Sequence, residues 1–496
     1  MSASLLPQGV SLAHPQCLYI DGAWAPPAAP GELELVCPND EAVVGITAAA
    51  GEADVDHAVA AARRAFDSGP WPVLPVAERA AMLRNMARIL RKRHPEMAIA
   101  FMAQTGALPA TAARIIESGT TTLERYAAIG ESYPWVQRQQ SSLPGNVGVI
   151  VREPVGVVAA ITPWNAPYAI MTQKIAPALI AGCTVIMKPS PETPLEAYML
   201  AEAAAESGMP PGVLNLLPAH REVADYLVRQ KGIDKISFTG STAAGRRIAS
   251  CAGERIARVT LELGGKSPAI VLDDYPVALA ARNLARGVTM LTGQVCALLS
   301  RAIVPAHRYE EFAAAIAAEM RTVKIGRSAD PGTEMGPLAM GRQRARVESY
   351  IEQGVAAGAT LVTGGKRPQH LQRGFFVEPT LFTEVDTRSS IAQEEIFGPV
   401  LCLFAARDTD EAIQIANDSN YGLNGAVLTQ DADAAYAVAR RIRSGNVGQN
   451  GLKMDFNLPY GGFKQSGVGR EGGVEGLSPY IETKALLLDS LPASLQ

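Results

Sequence analysis

Residues 155–188 decide the fold, and they read VGVVAAITPWNAPYAIMTQKIAPALIAGCTVIMK. The apolar segments at the two ends, residues 155–161 and 184–187, have the length and the β-branched content of buried strands. Between them, residues 174–181 have the spacing of a helix. A strand, a helix and a second strand in this order predict a parallel βαβ unit.

The same alternation continues along the chain. Helical spacing over 194–206 and from Ala243 onward alternates with strand-like segments at 213–217, 236–238 and 257–263. This pattern predicts a nucleotide-binding domain with a parallel sheet and covering helices. A second α/β region covers about 267–464, and its strand candidates are 269–272, 301–305, 400–405, 425–428 and 446–449. Two extended segments, 142–152 and 480–488, fit neither half, and residues 54–66 and 76–104 are predicted helices before them.

Composition narrows the class of protein. A chain of 496 residues with 48% hydrophobic and 19% charged residues predicts a large globular protein of two or three domains. A net charge of −4 gives no electrostatic reason to bind nucleic acid or an anionic membrane. The apolar segments are too short and too interrupted to cross a bilayer. Residues 1–16 lack the pattern of a secretory signal, so a cytoplasmic location is the expectation.

The six cysteines lie far apart, without a CxxC pair and without a histidine at metal-ligand spacing. We therefore expect neither a disulfide framework nor a metal site. Most buried cysteines act as small hydrophobic residues, so only the local context can distinguish a reactive one.

Three short motifs follow predicted strands, and each has two interpretations. Phe238-Thr239-Gly240-Ser241 can present backbone N–H groups and a helix start to a phosphate, or it can be an ordinary connector. Pro163-Trp164-Asn165 can aim a side-chain amide into a cleft, or Asn165 can cap a helix. Lys188 can meet a ribose or a phosphate, or it can be solvated. Two glycine-rich matches, 467–472 and 263–267, lack the context of a dinucleotide or ATP loop.

Cys296 follows a Gly293-Gln294 turn after an apolar helical segment, which is a suitable position for an accessible nucleophile. Only a thiolate is reactive, so this thiol needs an activating environment. A carboxylate such as Glu262 could serve as a base for a hydrolytic step, although spacing alone does not bring the two residues together.

Taken together, the motifs resemble the aldehyde dehydrogenase superfamily, and the resemblance runs from Tyr19 to the C-terminal strand. The ordered set carries it: Pro163-Trp164-Asn165, Lys188-Pro189-Ser190, Phe238-Thr239-Gly240-Ser241, Leu261-Glu262-Leu263-Gly264-Gly265-Lys266-Ser267-Pro268, Gly293-Gln294-Val295-Cys296, Glu394-Glu395-Ile396-Phe397-Gly398-Pro399 and Pro459-Tyr460-Gly461-Gly462-Phe463-Lys464.

The resemblance implies an NAD(P)+-dependent oxidation of an aldehyde to a carboxylic acid. Cys296 would attack the aldehyde carbon, while the Asn165 amide and the Cys296 backbone N–H hold the oxyanion. Hydride transfer to the nicotinamide would leave a thioester, which water activated by Glu262 would hydrolyse.

The resemblance also implies a cofactor site and a division into domains. Glu395 would bind the nicotinamide ribose, Phe397 and Leu263 would position the ring, and Lys188 would bind the adenosine ribose. The pyrophosphate and the rest of the site would be bordered by Thr162, Pro163, Trp164, Phe238, Gly240, Ser241 and Gly264. The expected fold is α/β: a Rossmann-like NAD(P)-binding domain (1–135 and 153–264), a catalytic domain (265–477) and a small β bridging element (136–152 and 478–496) that joins subunits as homodimers or homotetramers.

The cofactor preference depends on one departure from the family pattern. Many NAD-preferring members have Glu three residues after the cofactor lysine, whereas this chain has Pro191 there and Glu192 one step later. A carboxylate at this place binds the 2′-hydroxyl of NAD and repels a 2′-phosphate. Arg221 could meet a 2′-phosphate instead. We expect NAD+ ahead of NADP+ by a small margin.

The expected substrate tunnel is lined by Ala166, Ile170, Val295, Met454 and Tyr460. Its apolar character favours an aliphatic, terpenoid or aromatic aldehyde over a carboxylate-bearing semialdehyde, which would need a fixed cation. Lys453 is a cation close in sequence, so a semialdehyde dehydrogenase stays the alternative. Three rival activities are also considered: acyl transfer to coenzyme A, which Glu262 opposes, esterase activity, and a non-catalytic role that retains the fold.

Overall fold

The computed structural model describes residues 6–495, so the expectations for residues 1–5 and 496 lie outside the described chain. Within it, the strands are β1 (Leu18–Ile20), β2 (Ala23–Ala25), β3 (Glu32–Val36), β4 (Val43–Ala48), β5 (Val136–Gln140), β6 (Val147–Pro154), β7 (Val157–Ile161), β8 (Thr184–Lys188), β9 (Leu214–Leu216), β10 (Lys235–Thr239), β11 (Arg258–Glu262), β12 (Ser267–Val271), β13 (Leu299–Pro305), β14 (Thr360–Thr363), β15 (Thr380–Thr383), β16 (Val400–Ala406), β17 (Asn424–Leu428), β18 (Asn446–Gln449), β19 (Gly467–Val468) and β20 (Ile481–Leu488).

The α-helices of the described chain are α1 (Glu52–Asp67), α2 (Val76–Lys92), α3 (His94–Thr105), α4 (Pro109–Ser132), α5 (Pro167–Ala181), α6 (Leu195–Glu206), α7 (Arg221–Arg229), α8 (Thr242–Gly253), α9 (Val277–Thr289), α10 (Tyr309–Thr322), α11 (Gly341–Ala356), α12 (Ser390–Gln393), α13 (Thr409–Asn417) and α14 (Ala432–Ala439). In this part of the chain, no helix is both long and apolar enough to cross a membrane.

The predicted α/β fold is confirmed, and the largest sheet combines β1, β2 and β7 to β11 of the first half with β19 of the second. Its order is β19-β11-β10-β7-β8-β9-β1-β2, and the five central strands from β11 to β9 are parallel. All residues of β7, β8 and β10 are buried, because helices cover both faces of a parallel sheet. The βαβ alternation therefore forms one doubly covered, Rossmann-like sheet.

The second half forms a seven-stranded sheet in the order β14-β15-β16-β13-β12-β17-β18. Its strands are parallel except for β14, which pairs antiparallel with β15. A separate three-stranded sheet, β20-β6-β5, combines residues from the middle and the end of the chain. The domain division stays a prediction, and one strand crosses it: β19 lies within 265–477 but pairs with β11 of the first sheet.

Some sequence predictions about the bounds of individual elements are wrong. Residues 76–104 are two helices, because Arg93 leaves helical geometry and Pro95 occupies the first turn of α3. Proline lacks the N–H that would continue the preceding helix and is favoured in the first turn of a new one. The extended segment predicted at 142–152 begins as a strand only at Val147, after a turn that includes Gly145.

Helix α5 packs against α4 through glycines. Every residue of α5 from Met171 to Ala181 is buried, although the helix contains the polar side chains of Gln173 and Lys174. A Cβ at Gly130 of α4 would overlap the side chain of Ile180. The two helices can therefore approach closely only because α4 has no side chain at that position.

The glycine contact predicts a change in stability. Gly130→Ala should destabilise the fold by about 1–3 kcal/mol, because the added methyl group forces a well-packed helix pair apart. The matched control is Gly287→Ala in α9, where a Cβ would have nothing within 4 Å; removing this helical glycine should stabilise by about 0.5–1 kcal/mol. Thermal melting of both variants checks the prediction, and equal melting temperatures would contradict it.

Candidate active site

The candidate site lies where the two large sheets meet. Strands β7, β8, β10 and β11 are neighbours and run parallel, so their carboxyl ends lie along one edge of the first sheet. The motifs that begin at Thr162, Pro189 and Gly240 follow three of these ends, and Glu262 is the last residue of the fourth. This edge is where open parallel sheets bind ligands.

A cleft of about 660 Å³ opens at this edge. Seven of the predicted cofactor residues line it together: Thr162, Pro163, Trp164, Lys188, Phe238, Gly240 and Ser241. Glu192, Arg221 and Arg342 line it as well. The Ser241 side chain accepts a hydrogen bond from the Ala244 N–H and so caps α8, whose N-terminus faces the cleft.

The remaining four predicted cofactor residues, Leu263, Gly264, Glu395 and Phe397, are not among the residues that line this cleft. Glu395 Oε1 accepts a hydrogen bond from the Gly265 N–H at 3.1 Å, and a Cβ at Gly264 would overlap the Glu395 carboxylate. The Phe397 ring packs edge-on against Trp164, 5.2 Å between centroids. Burial raises the pKa of Glu395 to about 7.

Lys188 and Glu192 stand close together in the cleft. Burial lowers the pKa of Lys188 to about 8, and the charge of Glu192 opposes that shift. Glu192 accepts hydrogen bonds from the Ser190 hydroxyl and, at 2.5 Å, from Arg342 Nη2. Although burial opposes it, these two partners lower the pKa of Glu192, so its carboxylate is charged. A carboxylate is therefore present in the cleft, although Pro191 displaces it by one residue.

Cys296 lies on a loop with an unusual backbone. Leu291 and Thr292 both have positive φ angles, 47° and 54°, which cost energy for residues other than glycine. The loop turns from α9 into β13 and leaves the Cys296 side chain half-buried, with Sγ 3.8 Å from the Tyr460 hydroxyl. Burial and the charges of Glu395 and Glu262 raise the pKa of the Cys296 thiol to about 12. The thiol of the free protein is therefore not activated.

Asn165 is tied to the same loop. Its Nδ2 donates a hydrogen bond to the Gln294 carbonyl at 3.0 Å, and the side chain is buried. The N-cap of α5 is Ala166, without a side-chain cap, so Asn165 does not serve as the helix cap. The amide is held near Cys296 by a contact between segments 129 residues apart.

Glu262 is buried, and neither of its carboxyl oxygens has a hydrogen-bond partner among the described residues. Burial and the charge of Glu471 raise its pKa well above the ordinary value. Glu471 itself pairs with Lys174 of α5, 2.6 Å between Oε1 and Nζ. An unpartnered buried carboxyl group is costly, which is typical of a functional site.

Sequence reasoning missed the pair of Lys174 and Glu471. The two residues are 297 positions apart, so spacing gave no reason to join them. One signal was available: Lys174 interrupts a helix that is otherwise largely apolar. A lysine in such a helix is rarely buried unless it is paired, so a buried carboxylate partner could have been expected.

The predicted substrate residues fall into two groups. Val295 and Tyr460 are buried in one apolar cluster that Phe456 also packs against. Ala166 and Ile170 are half-buried at the start of α5, and Met454 is 42% exposed. Within the described chain, no group of three or more His, Cys, Asp or Glu side chains is placed to hold a metal ion.

Comparisons with known proteins show the family to which the chain belongs. The model of the aldehyde dehydrogenase family matches residues 24–486. The chain is 43% identical over 476 residues to geranial dehydrogenase of Castellaniella defragrans (95% of this chain, 98% of the relative) and 40% identical to 3-succinoylsemialdehyde-pyridine dehydrogenase of a Pseudomonas species (95% and 98%). A solved structure of aldehyde dehydrogenase C from Pseudomonas syringae, a mutant in complex with NAD+ and octanal, superposes with a TM-score of 0.92 at 40% identity (98% and 99%).

The chain therefore belongs to the aldehyde dehydrogenase family. It is an enzyme, an oxidoreductase of the aldehyde dehydrogenase type, and the family resemblance of the sequence is confirmed.

The pKa of Cys296 predicts its reactivity in the free protein. Labelling of Cys296 by iodoacetamide should be slow at pH 7 and rise about tenfold per pH unit up to pH 9 without a plateau, since the thiolate fraction grows tenfold per unit below the pKa. Mass spectrometry of the labelled peptide measures this rate separately from those of the other five cysteines. A plateau near pH 7 would show that the free protein already activates the thiol.

Proposed function

We propose that this protein oxidises an apolar aldehyde to the carboxylic acid with NAD+, through a thioester on Cys296. The observation that carries the proposal is the meeting of a thiol, an amide and an unpartnered carboxyl group at one sheet edge: Cys296, Asn165 and Glu262. These are the nucleophile, oxyanion donor and base that the reaction needs.

The residues would act in sequence. The Cys296 thiolate adds to the aldehyde carbon, and the Asn165 amide and the Cys296 backbone N–H stabilise the resulting oxyanion. When bound, NAD+ supplies the acceptor for the hydride that leaves this carbon. The thioester then remains on Cys296. Water adds to it as Glu262 removes a proton, and the thiolate leaves as the acid forms.

Glu262 can serve as a base only in its ionised form. Its pKa is raised by burial and by Glu471, so the free protein holds it as a neutral acid at low pH. The same shift makes the ionised form a stronger proton acceptor. The charge of Lys174 acts in the opposite sense and favours the carboxylate.

For the cofactor, we propose NAD+ ahead of NADP+. The charged carboxylate of Glu192 in the cleft fits a ribose 2′-hydroxyl and opposes a 2′-phosphate. Gly264 and Gly265 fit closely around Glu395, which gives that carboxylate a fixed place for a second ribose. Solved relatives at 40% and 42% identity were crystallised with NAD+. Arg342 and Arg221 line the same cleft and are the reason that NADP+ stays the alternative.

For the substrate, we propose an aliphatic, terpenoid or aromatic aldehyde. The apolar cluster around Val295 and Tyr460 supports this, as do a relative named for geranial and a structure with octanal. Such a site favours apolar ligands, because burying a carboxylate there without a partner is costly. The alternative, a semialdehyde, is supported by the relative named for 3-succinoylsemialdehyde-pyridine.

We also propose a cytoplasmic homo-oligomer joined through the sheet of β5, β6 and β20. Three apolar residues on or beside this sheet are exposed, Val136 at 48%, Leu143 at 51% and Leu487 at 59%. Strands β5 and β20 are the two edge strands of this sheet, and an exposed edge strand can pair with another chain.

Two substitutions test the proposed reaction. Cys296→Ala should abolish aldehyde-dependent NAD+ reduction, whereas Cys17→Ala, which changes another half-buried cysteine, should leave it intact.

Glu262→Gln should slow turnover by about 10²–10⁴-fold and let an acyl-enzyme accumulate, because the amide cannot accept the proton of water. Intact-mass spectrometry detects the adduct. Normal turnover of Cys296→Ala would overturn the proposal.

The cofactor and the substrate class are tested by initial rates of cofactor reduction. NAD+ and NADP+ are compared side by side, each with hexanal, citral, benzaldehyde and succinate semialdehyde. The three apolar aldehydes and NAD+ should give the highest kcat/KM. Glu192→Gln should raise the NADP+/NAD+ ratio of kcat/KM about tenfold, because it removes the charge that opposes the 2′-phosphate. Glu206→Gln, the same change at an exposed position outside the cleft, is the control and should leave the ratio unchanged. Preference for the semialdehyde, or an unchanged ratio, would contradict these assignments.

A further inference from the structure

A tyrosine hydroxyl lies against the sulfur of the candidate nucleophile. Tyr460 is 5% exposed, and its hydroxyl is 3.8 Å from Cys296 Sγ, within the longer range of hydrogen bonds to sulfur. Tyr460 is also part of the apolar cluster next to Cys296, so its hydroxyl introduces a polar atom into an otherwise apolar wall. A buried phenol hydroxyl usually has a hydrogen-bond partner, and here that partner is the thiol.

The backbone and the ring of Tyr460 are fixed on several sides. Its N–H donates to the Glu471 carbonyl and its carbonyl accepts from the Glu471 N–H, at 2.6 and 2.8 Å. The preceding carbonyl, of Pro459, accepts from Asn446 Nδ2. The ring packs against Phe456 at 5.1 Å between centroids. The hydroxyl therefore has little freedom to turn away from the sulfur.

The charged groups near the sulfur disfavour its ionisation. Glu395 and Glu262 both oppose a negative charge on Cys296, and burial opposes it more strongly. The Tyr460 hydroxyl and the Ala297 N–H act in the opposite direction, because each can donate to a thiolate. Burial and the negative charges of Cys296, Glu262 and Glu471 raise the pKa of Tyr460 well above its ordinary value, so the phenol keeps its proton while the thiol loses its own.

We propose that Tyr460 is a positioning residue for the nucleophile: its hydroxyl donates a hydrogen bond to the Cys296 thiolate, which holds the sulfur in place and favours the thiolate over the thiol. When the thiol ionises, its proton passes to water or to a neighbouring carboxylate, and Tyr460 keeps its own proton. The inference rests on the proposed function and adds a role to a residue otherwise assigned only to the tunnel wall.

The test is Tyr460→Phe, which removes one oxygen atom and keeps the ring and its packing. We expect iodoacetamide to label Cys296 about tenfold more slowly than in the wild type at every pH from 7 to 9, with the same slope against pH, because a hydrogen bond to a charged group shifts a pKa by about one unit. The matched control is Tyr275→Phe. Tyr275 is buried in the same apolar cluster, but its hydroxyl accepts from Asn283, so the labelling rate should not change.

Turnover measurements distinguish a positioning role of Tyr460 from a role in lining the substrate tunnel only. With an apolar aldehyde and NAD+, Tyr460→Phe should lower kcat several-fold and change KM little, since the apolar wall is kept. An unchanged labelling rate, or a change in KM alone, would overturn the inference. Melting temperatures of both variants show whether the fold is intact. Labelling does not require turnover, so a wild type that reduces no cofactor would contradict the proposed function without deciding the role of Tyr460.

Discussion

The structure of the site depends on the close approach of backbone at two adjacent glycines. Only residues 263–266 separate the carboxyl end of β11 from the start of β12, so this short segment connects the two large sheets. A Cβ at Gly264 would overlap the Glu395 carboxylate, and a Cβ at Gly265 would overlap the Cys296 carbonyl. Any larger residue there would displace a candidate cofactor ligand or the nucleophile loop. The constraint is steric, and the rest of the site is arranged around it.

Desolvation is the second feature shared by the site. It raises the pKa values of Cys296, Glu262 and Glu395 and lowers that of Lys188, because burial penalises the charged form of every group. The free protein therefore holds a neutral nucleophile and a neutral base at the low end of the pH range. Lys174 and Glu471 are also buried, and they form an ion pair of 2.6 Å with each other.

The sequence predicted the strands with the strongest apolar pattern closely. The segments 184–187 and 425–428 correspond to β8 and β17 to within one residue. Elements with weaker signals were misjudged: α5 begins at Pro167, seven residues before the predicted start, and the helix predicted at 76–104 breaks at Arg93. Proline geometry sets the break at Arg93, and α5 is buried on nearly all sides. The spacing of apolar residues in the sequence indicates neither feature.

By itself, the sequence determined the α/β class, the family and the identities of Cys296, Glu262 and Asn165 as candidates, because ordered motifs and buried-strand patterns are local properties of the chain. Tertiary structure decided which side chains meet. It placed Asn165 on the loop of Cys296, Lys174 beside Glu471 and the Tyr460 hydroxyl against the sulfur, contacts that span 129, 297 and 164 residues. It also set the direction of each pKa shift, since desolvation and neighbouring charge exist only once distant segments have packed together.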